Sequence, residues 1–145
     1  MKETFTVYKA VRLVMGDFYS STIGLPRFVK SKKWELRYIL GEETVAHEGS
    51  VGILCFVGSL ACQAFIENLG YLYPNEWFAV LECATEHVPH RQYAVIDRVS
   101  SFPKWVTRYA EWPSIDDFNG IDQSPEGTYV VPSLTPRRIY KEDTR

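Results

Sequence analysis

The sequence predicts an α+β fold, a mainly antiparallel twisted sheet with one or two packed helices, and three observations carry that expectation. The first is the stretch Gly49–Gly70, GSVGILCFVGSLACQAFIENLG, which reads as a buried strand followed at once by a helix. The second is an opening that reads as a β-hairpin. The third is that strand-like segments outnumber helical ones along the chain. This arrangement favours α+β over a doubly wound α/β sheet. At 145 residues the chain is long enough to bury a core without staples, and residues 1–145 are read as a single globular domain.

Thr4–Val14 is rich in β-branched and aromatic residues and reads as the first strand. Phe5, Val7, Val11 and Leu13 fall on one face by alternation, with Lys9 the exception among them. Met15-Gly16-Asp17 is a turn signal, and Phe18–Ile23 reads as the partner strand. Gly24-Leu25-Pro26 ends it, Arg27–Lys33 reads as a loop, and Trp34–Leu40 alternates as a third strand. Gly41–Ser50 is polar and turn-rich.

Ile53–Val57 is a continuous apolar run, as in a strand buried on both faces. Gly58-Ser59 breaks it, with Ser59 expected as the helix N-cap. Ala61, Ala64, Phe65, Asn68 and Leu69 recur at helical spacing, and Gly70 is expected as the C′ glycine. Trp77–Cys83 reads as a second buried strand and Tyr93–Val99 as another. Ser101–Tyr109 fits a helix with Pro103 in its first turn. An acidic loop follows at about 111–127. Tyr129–Val131 is expected as a last strand, held to an edge by Pro132, before a short C-terminal tail at 137–145.

Several segments together resemble small uncharacterised proteins of phage and prophage type: VYKAVR, FYSS, YILGEET, GILCF followed by a helix, and PEGTYVVPSLTP. The resemblance implies a compact α+β protein of viral or prophage origin that acts on a host system or its nucleotide signals. It brings no assigned catalytic residues. Arg12 and Ser20-Ser21-Thr22 also resemble the first two elements of ADP-ribosyltransferases of the Arg…Ser-Thr-Ser…Glu-x-Glu type. The third element is missing. Glu42 and Glu43 are adjacent, so they point to opposite sides of an extended chain, and Glu82 and Glu86 have the wrong spacing.

Charge is segregated. Arg27, Lys30, Lys32, Lys33 and Arg37 cluster around Phe28 and Trp34, and they are five of the sixteen basic residues in a chain of net charge −2. Such a segment binds phosphates through its cations and stacks a ring on its aromatics, or else merely keeps a loop solvated. Glu111, Asp116, Asp117, Asp122 and Glu126 form the opposite pole, suited to a basic partner or to the basic loop of a second copy. The overall charge excludes a general nucleic-acid coat.

The remaining motifs carry little chemistry. Cys83, His87 and His90 are zinc-type donors, but no fourth ligand is near. Cys55, Cys62 and Cys83 all lie in apolar segments and read as buried thiols of a cytoplasmic protein. No signal core or membrane span is expected. Nor is there a Gly-x-Ser-x-Gly elbow, a Walker loop or a Gly-x-Gly-x-x-Gly fingerprint.

The expectation is therefore a non-enzymatic accessory binding protein of viral or prophage type, acting in the cytoplasm (the host's, if viral). Its partner is a host protein or a nucleotide-like small molecule, bound by Arg27, Phe28, Lys30, Lys32, Lys33, Trp34 and Arg37. No cofactor, metal, membrane or general nucleic-acid binding is implied, and self-association is a further reading. The alternatives are an ADP-ribosyltransferase-like enzyme and a structural or assembly component.

Overall fold

A computed structural model of the chain describes residues 3–21, 35–47, 52–91, 95–96, 124–125 and 128–142. It contains eleven strands and one helix among the described residues. In chain order these are β1 (Phe5–Val14), β2 (Asp17–Ser20), β3 (Arg37–Tyr38), β4 (Thr44–Val45) and β5 (Ile53–Phe56), then α1 (Ser59–Leu72). They are followed by β6 (Trp77–Thr85), β7 (His90–Arg91), β8 (Val95–Ile96), β9 (Ser124–Pro125), β10 (Thr128–Val131) and β11 (Ser133–Glu142).

Nine of the strands form a nearly closed, barrel-like antiparallel sheet in the order β4-β11-β6-β1-β5-β10-β7, with β2 on β1 and β3 on β2. β8 and β9 make a separate parallel pair. The α+β expectation stands, and the sheet is more barrel-like than a simple twisted one.

β1 is the spine of the sheet. It pairs with β6 from Phe5↔Thr85 to Leu13↔Trp77, and its other edge is shared between β2 and β5. The β1–β2 hairpin closes through Met15 (φ 52) and Gly16 (φ 87). Two successive positive φ values make a type I′ connection, whose twist matches that of the flanking strands.

Alternation along the strands separates two cores. On the inner face lie Val7, Val11, Tyr38, Ile53, Cys55, Ala79, Leu81, Cys83, Val131 and Leu134. On the outer face Ala10, Phe56, Phe78 and Val80 meet Cys62, Phe65, Ile66 and Leu69 of α1. Those four helical residues repeat at three- and four-residue steps, so they form one stripe down the helix. Ala10 is the small residue over which the helix lies, and Phe56 and Phe65 meet with ring centroids 5.5 Å apart. β5 and the stretch Phe78–Leu81 of β6 are covered on both faces, which is why those sequences read as unbroken apolar runs.

Several boundaries differ from the sequence reading. Ser59 is the first helical residue, not the cap; Gly58 is the N-cap, in extended conformation, and gives no side-chain cap bond. Gly70 does not end α1. It lies on the buried face beside Leu69, and the helix runs to Leu72. Tyr73 closes it by donating its N–H to Leu69 O at 2.8 Å, and Pro74 prevents continuation. β10 is no edge strand, because β5 and β7 flank it. Pro132 instead marks the step into β11, and residues 137–142 of the expected tail are part of that ten-residue strand. The helix expected at Ser101–Tyr109 lies outside the described residues, as does the acidic segment 111–127 apart from Ser124–Pro125.

Candidate functional site

Of the predicted binding residues, only Arg37 is among the described ones. Arg27, Phe28, Lys30, Lys32, Lys33 and Trp34 lie outside them. Arg37 is exposed on β3 and donates to Asp17 Oδ1 at 2.8 Å across the β2–β3 pair.

Arg12 and Ser20 both carry structural bonds. Arg12 projects from β1 between two carboxylates, with Nη2 3.2 Å from Glu35 Oε2 and Nη1 3.6 Å from Glu76 Oε2. It ties the β2–β3 connection to the loop after α1. Ser20 Oγ accepts the Leu36 N–H at 2.9 Å and so fixes the chain entering β3. Each has a role in holding the fold that needs no nucleotide. Cys83 points to the inner core and His87 is exposed. Among the described residues no group of three metal-type donors is gathered.

The densest polar and aromatic assembly lies on the outer face of β1, β6 and β11, beside the start of α1. Tyr8 on β1 stands opposite Glu82 on β6, and Glu82 stands opposite Arg138 on β11. Arg138 grips Glu82 with two bonds, Nε to Oε2 at 2.9 Å and Nη2 to Oε1 at 3.1 Å. The guanidinium also sits 5.6 Å from the centre of the Tyr140 ring, and Tyr140 meets Tyr8 edge to face at 5.2 Å. The Tyr140 hydroxyl donates to Ser59 Oγ at 3.4 Å, and Lys141 Nζ donates to Gln63 Oε1 at 3.2 Å.

Two irregularities in β11 create this surface. Pairing with β6 slips between Pro136 and Arg138, and again between Ile139 and Lys141. Simple alternation from the buried Pro136 would turn Arg138 inward. The extra residue Arg137 resets the phase, so Arg138 faces Glu82. The second slip, at Tyr140, lets Lys141 stand opposite Val80, on the helix side of β6. Bulges of this kind re-aim side chains next to functional sites. The bonded Arg138 holds the Glu82 carboxyl below its usual range, while burial, then the Glu82 charge, raises the Tyr8 phenol. Tyr8 is thus a neutral hydroxyl-bearing ring beside a fixed cation.

Of these residues the sequence reading singled out only Glu82, as a carboxylate of the wrong spacing, and Ser59, as a helix cap, and neither for this site. Arg137-Arg138-Ile139-Tyr140-Lys141 has a charge density that reads as a solvated tail, and a bulge leaves no period to detect. Among the described residues no helix is long and apolar enough to cross a membrane. Compared with protein-family profiles, curated proteins and solved structures, the chain matches none.

Proposed function

We propose that this protein is a non-enzymatic accessory binding protein of phage or prophage type, acting in the host cytoplasm on a nucleotide-like ligand. The ligand is taken on the outer face around Tyr8, Arg138, Tyr140 and Lys141. The observation that carries this reading is the doubly bulged end of β11, which sets two cations and a tyrosine pair on one surface. A ring stacks on Tyr140, and phosphate oxygens meet Lys141, Arg138 and the N–H groups of the uncapped first turn of α1.

Native mass spectrometry and calorimetry with a nucleotide panel (NAD, AMP and cyclic dinucleotides) test it. Uptake by the wild type, weakened about tenfold or more in Arg138→Ala/Tyr140→Ala, supports the site. Uptake unchanged in that variant removes the outer face from the reading, and no uptake by the wild type removes the ligand class.

A second reading, a host protein partner, is favoured by the hairpin end of the sheet. Met15 is 98% exposed at the turn, and the half-exposed Trp77 lies opposite Leu13 just below it. Exposed large side chains of this kind serve as anchors in protein interfaces. Loss of a host partner from a pull-down with Met15→Ser/Trp77→Ala, but not with Arg138→Ala/Tyr140→Ala, distinguishes this reading from the first.

A further inference from the structure

Glu82 and Arg138 form the pair at the centre of the outer face, and their bonds leave part of the guanidinium unused. Glu82 occupies one side of it: Arg138 donates from Nε to Oε2 at 2.9 Å and from Nη2 to Oε1 at 3.1 Å. A guanidinium carries five N–H donors. The second fork, made by Nη1 and the other hydrogen of Nη2, has no partner among the described residues. The Arg138 side chain stays 61% exposed while it holds Glu82, which leaves that fork within reach of a ligand. An exposed pair of this kind adds little to stability. Yet the bulge at Arg137 is what brings Arg138 opposite Glu82.

The pair also decides the charge that a ligand meets. Glu82 neutralises Arg138, so the free fork offers hydrogen bonds without a net positive charge. Lys141 keeps its charge, because its bonded partner at 3.2 Å is the neutral Gln63 Oε1. The first turn of α1 adds N–H donors and only a partial charge. Arg137 and Glu142, the other ionised side chains of the β11 end, are opposite in sign and offset each other, and Glu142 stands opposite Ala79 on the inner side. The surface is therefore suited to one full negative charge, with a carboxylate beside the place a second would take.

We propose that the outer face selects singly charged phosphodiesters over phosphate monoesters, and that Glu82 sets this choice. The inference deepens the outer-face reading and rests on it. Two oxygens of the phosphate accept from the free fork of Arg138 side by side, and Lys141 supplies the counter-charge. A monoester carries close to two charges above its second pKa of about 6. Its extra charge meets the Glu82 carboxylate held on the same guanidinium. Arg138 holds that carboxyl below its usual range, so it stays ionised. A phosphodiester brings no second charge to repel.

Calorimetry at about pH 8, above that second pKa, compares AMP with its methyl phosphodiester, which has the same base and sugar and one charge fewer. The wild type is expected to bind the diester about fivefold more tightly, the effect of one like charge at close range in water. Glu82→Gln keeps the shape of the side chain and removes its charge. AMP should then gain about fivefold more than the diester does, and the preference should disappear. An Arg138 merely loosened by the substitution would weaken both ligands alike, so the ratio is the readout. Equal affinities in the wild type, a preference for AMP, or a ratio unchanged in Glu82→Gln overturns the inference and leaves the outer-face reading standing. Binding of neither ligand by the wild type overturns both.

Discussion

Replacing Lys9, buried on the inner face of β1, by Met should stabilise the protein. Met has nearly the same length and adapts its shape, so the inner core keeps its volume and loses only the amine. Burying a polar group without a partner costs about 1–3 kcal/mol, and the contact with the Tyr38 ring, its centre 5.7 Å from Nζ, returns roughly 0.5–1 kcal/mol when the amine is charged. The net gain expected for Lys9→Met is about 1–2 kcal/mol, or roughly 3–6 °C in Tm for a chain of this size.

The pH dependence gives a sharper test. Burial lowers the folded-state pKa of Lys9 from 10.5. Between that lowered value and 10.5 the unfolded chain binds more protons than the folded one, so stability rises with pH. Above 9.0 the raised thiols act oppositely, since they ionise first in the unfolded chain. The clean window therefore lies below 9.0, and there the slope should flatten in Lys9→Met. Urea melts of both proteins across that window measure it. A variant less stable than wild type by about 1 kcal/mol or more, or a slope that persists without Lys9, would refute a buried amine that costs stability.

Other substitutions test separate parts of the structure. Glu35→Ala leaves Arg12 with Glu76 as its remaining carboxylate among the described residues and should cost about 1–3 kcal/mol in chemical denaturation, whereas Asp17→Ala, on an exposed pair, should cost less than about 1 kcal/mol. Gly52→Ala should cost about 1–3 kcal/mol by urea melts, because φ is +121° there and an added Cβ would lie 3.0 Å from the Val131 carbonyl oxygen. Met15→Asn should stabilise by roughly 0.5–1 kcal/mol in thermal melts, since Asn tolerates the left-handed conformation that Met adopts under strain. Leu69→Ala, which empties a fully buried position between α1 and the sheet, should cost about 2–5 kcal/mol on the same scale.

The parts of this fold legible in sequence are those governed by short-range periodicity. The hairpin at Met15-Gly16, the strands β5 and β6 and the presence of α1 follow from alternation, turn chemistry or helical spacing, but the buried face of α1 is rotated from the one the spacing gave: Ala64 and Asn68 are exposed, and Cys62, Ile66 and Gly70 join Phe65 and Leu69 in the buried stripe. Ser59 and Gly70 fit the cap positions by residue type, but packing decided otherwise. Gly70 continues the buried stripe of α1, and Ser59 turns its hydroxyl to Tyr140. β11 was illegible because two bulges break its period and its second half is charged on both faces. The candidate outer site depends on that phase reset and on register between strands far apart in sequence, such as Glu82 with Arg138. Neither leaves a local mark.

Lys9 shows how one strand separates two chemistries. Tyr8, Ala10 and Arg12 lie along the outer face of β1, and each meets a different part of α1's surroundings. Tyr8 reaches the start of the helix through Tyr140, Ala10 lies beneath it, and Arg12 bonds Glu76 just beyond its end. Val7, Lys9 and Val11 face the opposite way, into the inner core. The backbone of β1, hydrogen-bonded to β6 along its length, stands between the two sets. A ligand on the outer face therefore touches no atom of the inner core, and a change of side chain at Lys9 leaves Tyr8 and Arg138 where they are. Coupling between the two requires β1 itself to move, and β1 is held by β2, β5 and β6 at once. Nucleotide affinity should consequently be the same in Lys9→Met as in the wild type. A change of more than about threefold would mean that the central strand shifts, and that the two faces act as one site.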